Sequence, residues 1–564
     1  MAGFSKPALR LKGSLLKHSF DKLTRSPHSS QKKLLFEILR KNKDTEYGKK
    51  YYFSKISDEK DFQKYIPVNS YEDLEPYVEK IIDGRRNILT SDMPVMFNLT
   101  SGSSDKPKYI PVTAKTKKHT DILMHQWLYR TLLCHSTFLD GYSLVITGSP
   151  VEGYTSSDIA YGSLSGQIYN NLPRGIMDRY ALPFVVAEIS NYDLRYYAIA
   201  RLAIEKEVSF IATPNPTTLI RLAEIGMQYQ EEIIRSIQEG CLFKKSDFQI
   251  NAHDLEIVKS LNNTIKPDIS RGEFLRDIIN NNERLLPRYY WSSLKLIGCW
   301  LGGSVGYHAE KLSSYYGGAP RRDLGYLASE GCITLPYEDS TASGILALQN
   351  NYYEFVPEDA ASHSQVLLSH ELEKGKLYKI LLTNESGLYR YDINDTVRVD
   401  KFYNQTPVLS FVHKSNDILN ITGEKLHLNH LLAAFKKVQS RFGISVSQFR
   451  VAPNNDFIRH EIFIAFSRDV SPVIVKNSIL QEIDFYLSET NIEYAQKRKS
   501  KRLNPPCLHV MDASWENEIK KNLIDSGMRD IQYKWQPMSS KFLEIDKKYI
   551  KYSIMWDKND QENC

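Results

Sequence analysis

Short apolar runs that stop at small or turn-forming residues and then give way to helical patterns constrain this chain more than any other feature. The run 143–148 ends on Gly148, Ser149 and Pro150, and the run 208–212 is followed by Pro216 and helical apolar spacing to about Ile237. A third run, 294–298, leads into Trp300-Leu301-Gly302-Gly303-Ser304, and helical spacing over 194–206 precedes the second. Strand and helix in alternation predict α/β layers around a mostly parallel sheet, because parallel neighbours need a crossover long enough to hold a helix. Glycines directly after such a strand let a ligand or a helix backbone come close, which makes Gly303 a candidate binding position. A plain tight turn uses the same residues.

The remaining chain has other textures. Apolar residues at helical spacing predict helices over 31–49, over 71–82 with Ser70 as N-cap, and over 115–134. Past Tyr326 the strands shorten, at 344–348, 352–356 and 378–383, and Asn, Gly, Pro and acidic residues break them, which predicts an antiparallel, barrel-like subdomain. After about Phe411 a smaller α+β unit begins. It has a helix near 426–441, strands at 449–452 and 461–466, and a helix opened by Ser471-Pro472. A chain of 564 residues is expected to hold more than one core. The expected division is a large N-terminal domain, 1–412, and a small mobile C-terminal lid domain, 413–564.

Bulk properties narrow the function. Net charge is only +6, so no general electrostatic case for nucleic acid follows. The sharpest basic cluster, Lys497-Arg498-Lys499-Ser500-Lys501-Arg502, reads as a solvated loop. Cysteines at 134, 241, 299, 332, 507 and 564 lie far apart with no Cys-x-x-Cys pair, which indicates neither a zinc site nor a disulfide framework. No run approaches the roughly eighteen apolar residues of a membrane span. The first 33 residues set eight Lys and Arg against one acid, Asp21, with leucines near helical spacing. They predict a basic amphipathic helix packed on the domain, a transit peptide being the alternative. A cytoplasmic monomer is the expected form.

Four stretches carry chemistry. The first is Thr100-Ser101-Gly102-Ser103-Ser104-Asp105-Lys106-Pro107-Lys108, which follows the apolar lead-in 93–99. A strand that delivers a hydroxyl-lined turn can surround a polyphosphate with backbone N–H groups, serine hydroxyls and lysines; an ordinary polar turn draws on the same residues. The second, 325–331, holds Tyr326, whose ring could stack on a base, with Ser329 and Glu330. A carboxylate beside phosphates is a natural Mg²⁺ ligand, because magnesium takes hard oxygen and shares it with substrate. In isolation, a strand-end Tyr and a surface Glu are the simpler account. The third, 387–395, ends on Asp395, which could accept both hydroxyls of a ribose. The fourth, 411–418 followed by 421–425, puts Lys414 among polar and glycine residues that suit a hinge or any structural connection.

In this order the four resemble the adenylate-forming enzyme superfamily, whose first loop reads Thr-Ser-Gly-Thr-Thr-Gly-x-Pro-Lys. Within it the chain is most similar to the auxin-responsive promoter family, the acyl acid amido synthetases. That family's Tyr-x-x-Ser-Glu falls on Tyr326, Ser329 and Glu330, and its Tyr-Arg-Tyr-x-x-Gly-Asp on Tyr389, Arg390, Tyr391 and Asp395. Asn491-Ile492-Glu493-Tyr494 and Gln532-Tyr533-Lys534 also look like it, and the resemblance runs from about residue 30 to 550. It implies a two-step ligase using ATP and Mg²⁺, in which a carboxylic acid becomes an acyl-adenylate and an amine, such as an amino acid, then displaces AMP. Ser101, Gly102, Ser103, Ser104 and Lys108 would hold phosphates, and Glu330 would hold Mg²⁺. Asp395 would bind ribose, while Gly303, Tyr326, Ser329 and Lys414 would complete the nucleotide and acyl side. Lys534 would bring positive charge to the transition state, where negative charge on the phosphoryl oxygens grows.

Three positions depart from the family's glycines: Asp105, Asn394 and Thr334. Asp and Asn tolerate left-handed backbone angles, so the turns at 105 and 394 can survive. A carboxylate at 105 would oppose phosphate unless it points outward or ligates the metal. A thioester ligase, and a catalytically weakened nucleotide-binding effector that keeps the fold, are the alternative readings.

Overall fold

A computed structural model describes residues 6–100, 108–148, 150–170, 179–243, 248, 250–360, 365–414, 418–422, 424–525, 535–539 and 541–555. The chain divides into two compact units, Met1–Val412 and His413–Cys564.

In the first unit, strands Tyr142–Val145, Val208–Ala212, Leu296–Gly298 and Arg321–Arg322 form one sheet in that order, every pairing parallel. Tyr142–Val145 and Leu296–Gly298 are shorter than the apolar runs that announce them, while Val208–Ala212 matches its run. Val208–Ala212 is buried almost throughout, as a strand covered on both faces must be. The helical stretch after Pro216 is two helices, Pro216–Gln228 and Gln230–Glu239, meeting at Tyr229, whose ψ of 23° leaves the helical range. The stretch 31–49 breaks similarly. Pro27–Asn42 ends, and Thr45 caps Glu46–Lys50 by accepting from the Gly48 N–H at 3.0 Å. The expected capping at Ser70 is present as a reciprocal box with Asp73.

A second sheet orders Lys108–Val112, Met96–Thr100, Ala160–Gly162 and Gly153–Tyr154. Met96–Thr100 and Lys108–Val112 pair antiparallel with Thr100 opposite Lys108. The short-strand region forms a seven-stranded sheet. Its order is Thr334–Leu335, Gly344–Leu346, Thr406–Lys414, Tyr391–Tyr403, Leu377–Thr383, Tyr352–Pro357 and Leu367–Leu368, and the pairings described are antiparallel. One core joins this sheet to the helices of 27–82, and another surrounds the parallel sheet.

The basic N-terminal stretch is the helix Lys6–Thr24, which buries Leu9 and Phe20 while Leu11 and Leu15 stay exposed. The one acid of that stretch anchors it. Asp21 accepts from Lys17 (2.6 Å), Arg130 (3.2 Å) and the Tyr403 hydroxyl (2.9 Å). Among the described residues no helix is long and apolar enough to cross a membrane.

The second unit has a four-stranded sheet in the order Val446–Asn454, Arg459–Phe466, Cys507–Met511 and Ile550–Ile554, with a core formed against Leu428–Phe442 and Leu480–Thr490. Ser471 makes no side-chain cap, contrary to the expected role, and the helix begun at Pro472 passes through a π turn at Val475–Ile479. The described cysteines are free, but Cys507 lies with Glu461 and His509, their ligand atoms within 4.8 Å of one another. Spacing along the chain could not reveal that grouping. Its carboxylate is engaged by His509 (3.0 Å), Arg459 (3.0 Å) and Asn454 (2.7 Å).

Candidate functional site

The segment Gly325–Glu330 lies at the end of the parallel sheet that follows Arg321–Arg322, the edge where open α/β sheets place ligands. Four side chains, two close by in the chain and two distant, fix its backbone. The Asp323 carboxylate accepts from the Gly325 N–H (2.7 Å), and the Thr334 hydroxyl accepts from the Tyr326 N–H (3.0 Å). Asn98 donates to the Ser329 carbonyl (2.8 Å) and Asn384 to the Glu330 carbonyl (2.9 Å). Asn98 is 3% exposed and Asn384 0%, so these amides are dry and their geometry is set. Gly325 itself has φ +102°, and a Cβ there would lie 2.7 Å from the Thr334 carbonyl oxygen, so only glycine fits.

Tyr326 and Asp395, from two different motifs, come together. The Tyr326 hydroxyl donates to Asp395, which is 4% exposed, and the Tyr326 ring packs at 5.5 Å on Phe411. Burial, with the charges of Asp395 and Glu330 nearby, holds the Tyr326 phenol well above its ordinary pKa, so it stays a donor. Glu330 also acts on the Tyr391 phenol, which places its charge beside the same strand. The carboxylates of Asp395 and Glu330 therefore both act on the Tyr326 ring. Its polar end is committed to Asp395.

Gly303 begins the helix Gly303–Tyr316 with φ +60°, and a Cβ there would meet the Phe411 ring at 2.8 Å. The helix entry and Tyr326 thus share Phe411 as a wall. Lys108, the first residue of its strand, directs its ammonium to Glu72 (3.3 Å) and over the Tyr71 ring (5.1 Å). Asn394 takes the left-handed angle expected of it, φ 57°. Thr334, where a glycine was expected, supplies the hydroxyl that holds Tyr326. Lys414 is the exposed last residue of Thr406–Lys414 and belongs to the second unit. Ser101, Gly102, Ser103, Ser104, Asp105 and Lys534 lie outside the described residues.

Family models match most of this length: the GH3 family N-terminal domain over residues 16–321, the central domain over 344–414 and the C-terminal domain over 429–541. The chain belongs to the GH3 family. It is 26% identical to jasmonoyl–L-amino acid synthetase GH3.5 of Oryza sativa subsp. japonica, over 94% of this chain and 96% of that protein. It is 25% identical to indole-3-acetic acid-amido synthetase GH3.4 of Arabidopsis thaliana, over 91% of this chain and 89% of that one. The fold is that of a solved GH3.15 acyl acid amido synthetase, with a TM-score of 0.81 at 18% identity and 97% of both chains covered. It is also similar, with a TM-score of 0.52 at 12% identity over 92% of this chain and 91% of that one, to a 2-hydroxyisobutyryl-CoA ligase solved in the postadenylation state with 2-HIB-AMP. The resemblance read from the motifs is thus to the family that the models show.

Within this GH3 chain, the residues that motif reading missed are those that hold the site. Asn98 carried a signal, a polar amide between Phe97 and Leu99 in an apolar strand. A buried amide in a strand must find partners, and Asn98 also accepts from Gln167 (2.8 Å). Asp323 and Asn384 carried none that local pattern could separate from turn residues.

Proposed function

We propose that this chain is an ATP-dependent acyl acid amido synthetase, which adenylates a carboxylic acid and passes the acyl group to an amine such as an amino acid. The membership in the GH3 family and the names of its relatives support the class. The observation that carries the reading to this chain's own residues is the hydrogen bond from Tyr326 to Asp395, which brings the second and third motifs together.

In the first half-reaction the carboxylate oxygen of the acid attacks the α-phosphorus of ATP and pyrophosphate leaves. In the second, an amine attacks the acyl carbonyl, AMP leaves with the bonding pair, and the amine gives up a proton. Asp395 accepts the ribose hydroxyls, with Tyr326 holding the carboxylate in place. Gly303, Ser329 and Lys414 complete the nucleotide side. Ser101, Gly102, Ser103, Ser104 and Lys108 cradle phosphates, for which Lys108 exchanges its exposed partner Glu72. Glu330 fits Mg²⁺ by donor chemistry, a hard carboxylate on a backbone already fixed by Asn384. Bound there, the ion would neutralise phosphate charge. Lys534 would add positive charge where the transition state needs it. The cytoplasm, with its ATP, is the proposed setting.

Acid-dependent exchange of labelled pyrophosphate into ATP, run over aryl, indole and fatty acids, tests the first half-reaction. Exchange with at least one acid is expected. Adding amino acids or coenzyme A and identifying the product by mass spectrometry then separates amide from thioester formation. Asp105, in place of a loop glycine, favours one second reading, an effector that binds nucleotide without turnover. ATP binding with no exchange for any acid would establish that reading instead.

A further inference from the structure

We infer that Asp323 is a positioning residue of this site, whose carboxylate locks the loop entering the helix Gly303–Tyr316 and the loop carrying Tyr326 and Glu330 into one fixed relation. The inference rests on the ligase reading for its substrates and on the geometry for everything else.

Asp323 follows the edge strand Arg321–Arg322 and is 4% exposed. One carboxylate oxygen accepts from the Leu301 N–H (2.7 Å) and the other from the Gly325 N–H (2.7 Å). Its carbonyl accepts from the Trp127 indole (2.8 Å), which ties in the helix Ala114–Cys134. Leu301 comes two residues before Gly303, and Gly325 immediately before Tyr326, so one carboxylate spans the two loops. Both bonds are short, as bonds to an ionised acceptor are.

Nothing else explains a carboxylate there. Among the described residues no cation pairs with it. The neighbouring Arg322 is spent on Asp339 (2.7 Å) and the Thr131 hydroxyl (3.2 Å), and Arg321 donates to the Ala309 carbonyl. Burying an anion without a counter-charge is costly, and two backbone donors offset only part of that cost. Burial accordingly pushes the carboxyl up to about 7, against the downward pull of the two N–H groups. An asparagine would have nearly the same size and no desolvated charge, but it would turn an NH₂ group toward one of the two N–H donors. Aspartate is the small side chain that can accept from both loops at once.

The test uses the full chain, comparing wild type with Asp323→Asn. Isothermal titration with AMP and with ATP is read alongside exchange kinetics and the unfolding temperature. In Asp323→Asn, AMP affinity is expected to fall and the KM for both ATP and acid to rise, each by about tenfold or more, the weight of one charge-assisted hydrogen bond. A merely structural role lowers the folded fraction, so it would reduce the maximal rate and the binding stoichiometry while leaving both KM values and AMP affinity unchanged. That result overturns the inference. Should Asp323→Asn fail to fold, Asp323→Ser, which is smaller and can still accept from one loop, is measured for the same affinities, and wild-type affinity in it is equally fatal. Wild-type protein that binds AMP but exchanges nothing with any acid defeats the ligase reading alone, and AMP affinity still judges Asp323. Wild-type protein that binds neither nucleotide defeats both.

Discussion

The site loops of the first unit and the sheet of the second bury polar groups in opposite ways. Around the site, neutral amides and a carboxylate with no cation partner among the described residues hold backbone groups: Asn98 on Ser329, Asn384 on Glu330, and Asp323 on Leu301 and Gly325. In the second unit, buried carboxylates take explicit side-chain partners. Glu424 meets His460 (2.9 Å), Glu461 meets His509 and Arg459, Asp484 meets Arg498 (2.8 Å) and Tyr494 (2.6 Å), and Asp546 meets Arg450 (2.6 Å) and Trp515 (3.0 Å). Ion pairs fix strands in a small unit at the cost of desolvating both partners, and they are strongly destabilising when half is removed. The amides fix loops without adding charge, whereas Asp323 fixes them with a carboxylate that has no cation partner among the described residues.

The largest effect expected from this contrast is on activity alone. Glu330→Gln should reduce acid-dependent exchange by about 100-fold or more, as loss of one group that stabilises phosphoryl charge does, with calorimetric unfolding unchanged. A lowered unfolding temperature in step with the lost activity would show that the site loops are built like the second unit's sheet.

Next in size is the reverse experiment. Arg450→Ala strands the Asp546 carboxylate, which is fully buried, and should destabilise the second unit by about 3–5 kcal/mol. Denaturant unfolding should show the loss in that unit's transition and none in that of the first.

A smaller effect separates the regions by pH. For Glu424 and Glu461, burial works upward, but the bonds to His460 with the Thr422 and Ile421 N–H groups, and to His509 and Arg459, outweigh it, and both values sit at about 2 against the ordinary 4.5. Their stabilisation is complete above about pH 4.5 and is lost as pH falls toward 2. Asp323 works the other way. Its folded value of about 7 exceeds the ordinary 3.8, so stability falls as pH rises from 3.8 to 7. The difference in unfolding temperature between wild type and Asp323→Asn should therefore shift in favour of wild type on going from pH 8 to pH 5. Taking that difference removes the contributions of His119 and His308, which burial depresses to about 4 and about 3 and which act in the reverse sense.

The smallest effect concerns a backbone angle. Asn394→Gly, restoring the family's residue at φ 57°, should change stability by no more than about 0.5 kcal/mol, whereas Asn394→Val should cost about 1–2 kcal/mol. Equal losses in both would mean that the Asn394 side chain matters and its backbone angle does not.

Much of the fold is legible in residue order alone. The parallel sheet follows from strand runs that lead into helices, and the short antiparallel strands from the change of texture past Tyr326. Apolar spacing locates the helical stretches but not their breaks at 43–45 and at Tyr229, because one residue leaving the helical range barely disturbs an apolar periodicity. The lysine of the first loop shows the same limit. Lys108 carries a motif's position, yet its ammonium rests on Glu72, a partner 36 residues away.

By itself, then, the sequence determined the family, the kind of layers, and the turn residues able to take left-handed angles, because each of these is written in local order, spacing and residue type. Only the tertiary structure decided which side chains make a site of the motifs. Asn98 reaches Ser329 across 231 residues, and Arg390, a residue of the third motif, turns inward to Glu354 (2.9 Å) and the Ile66 carbonyl (2.8 Å). A hydrogen bond depends on direction and distance in space, and neither has a period along the chain.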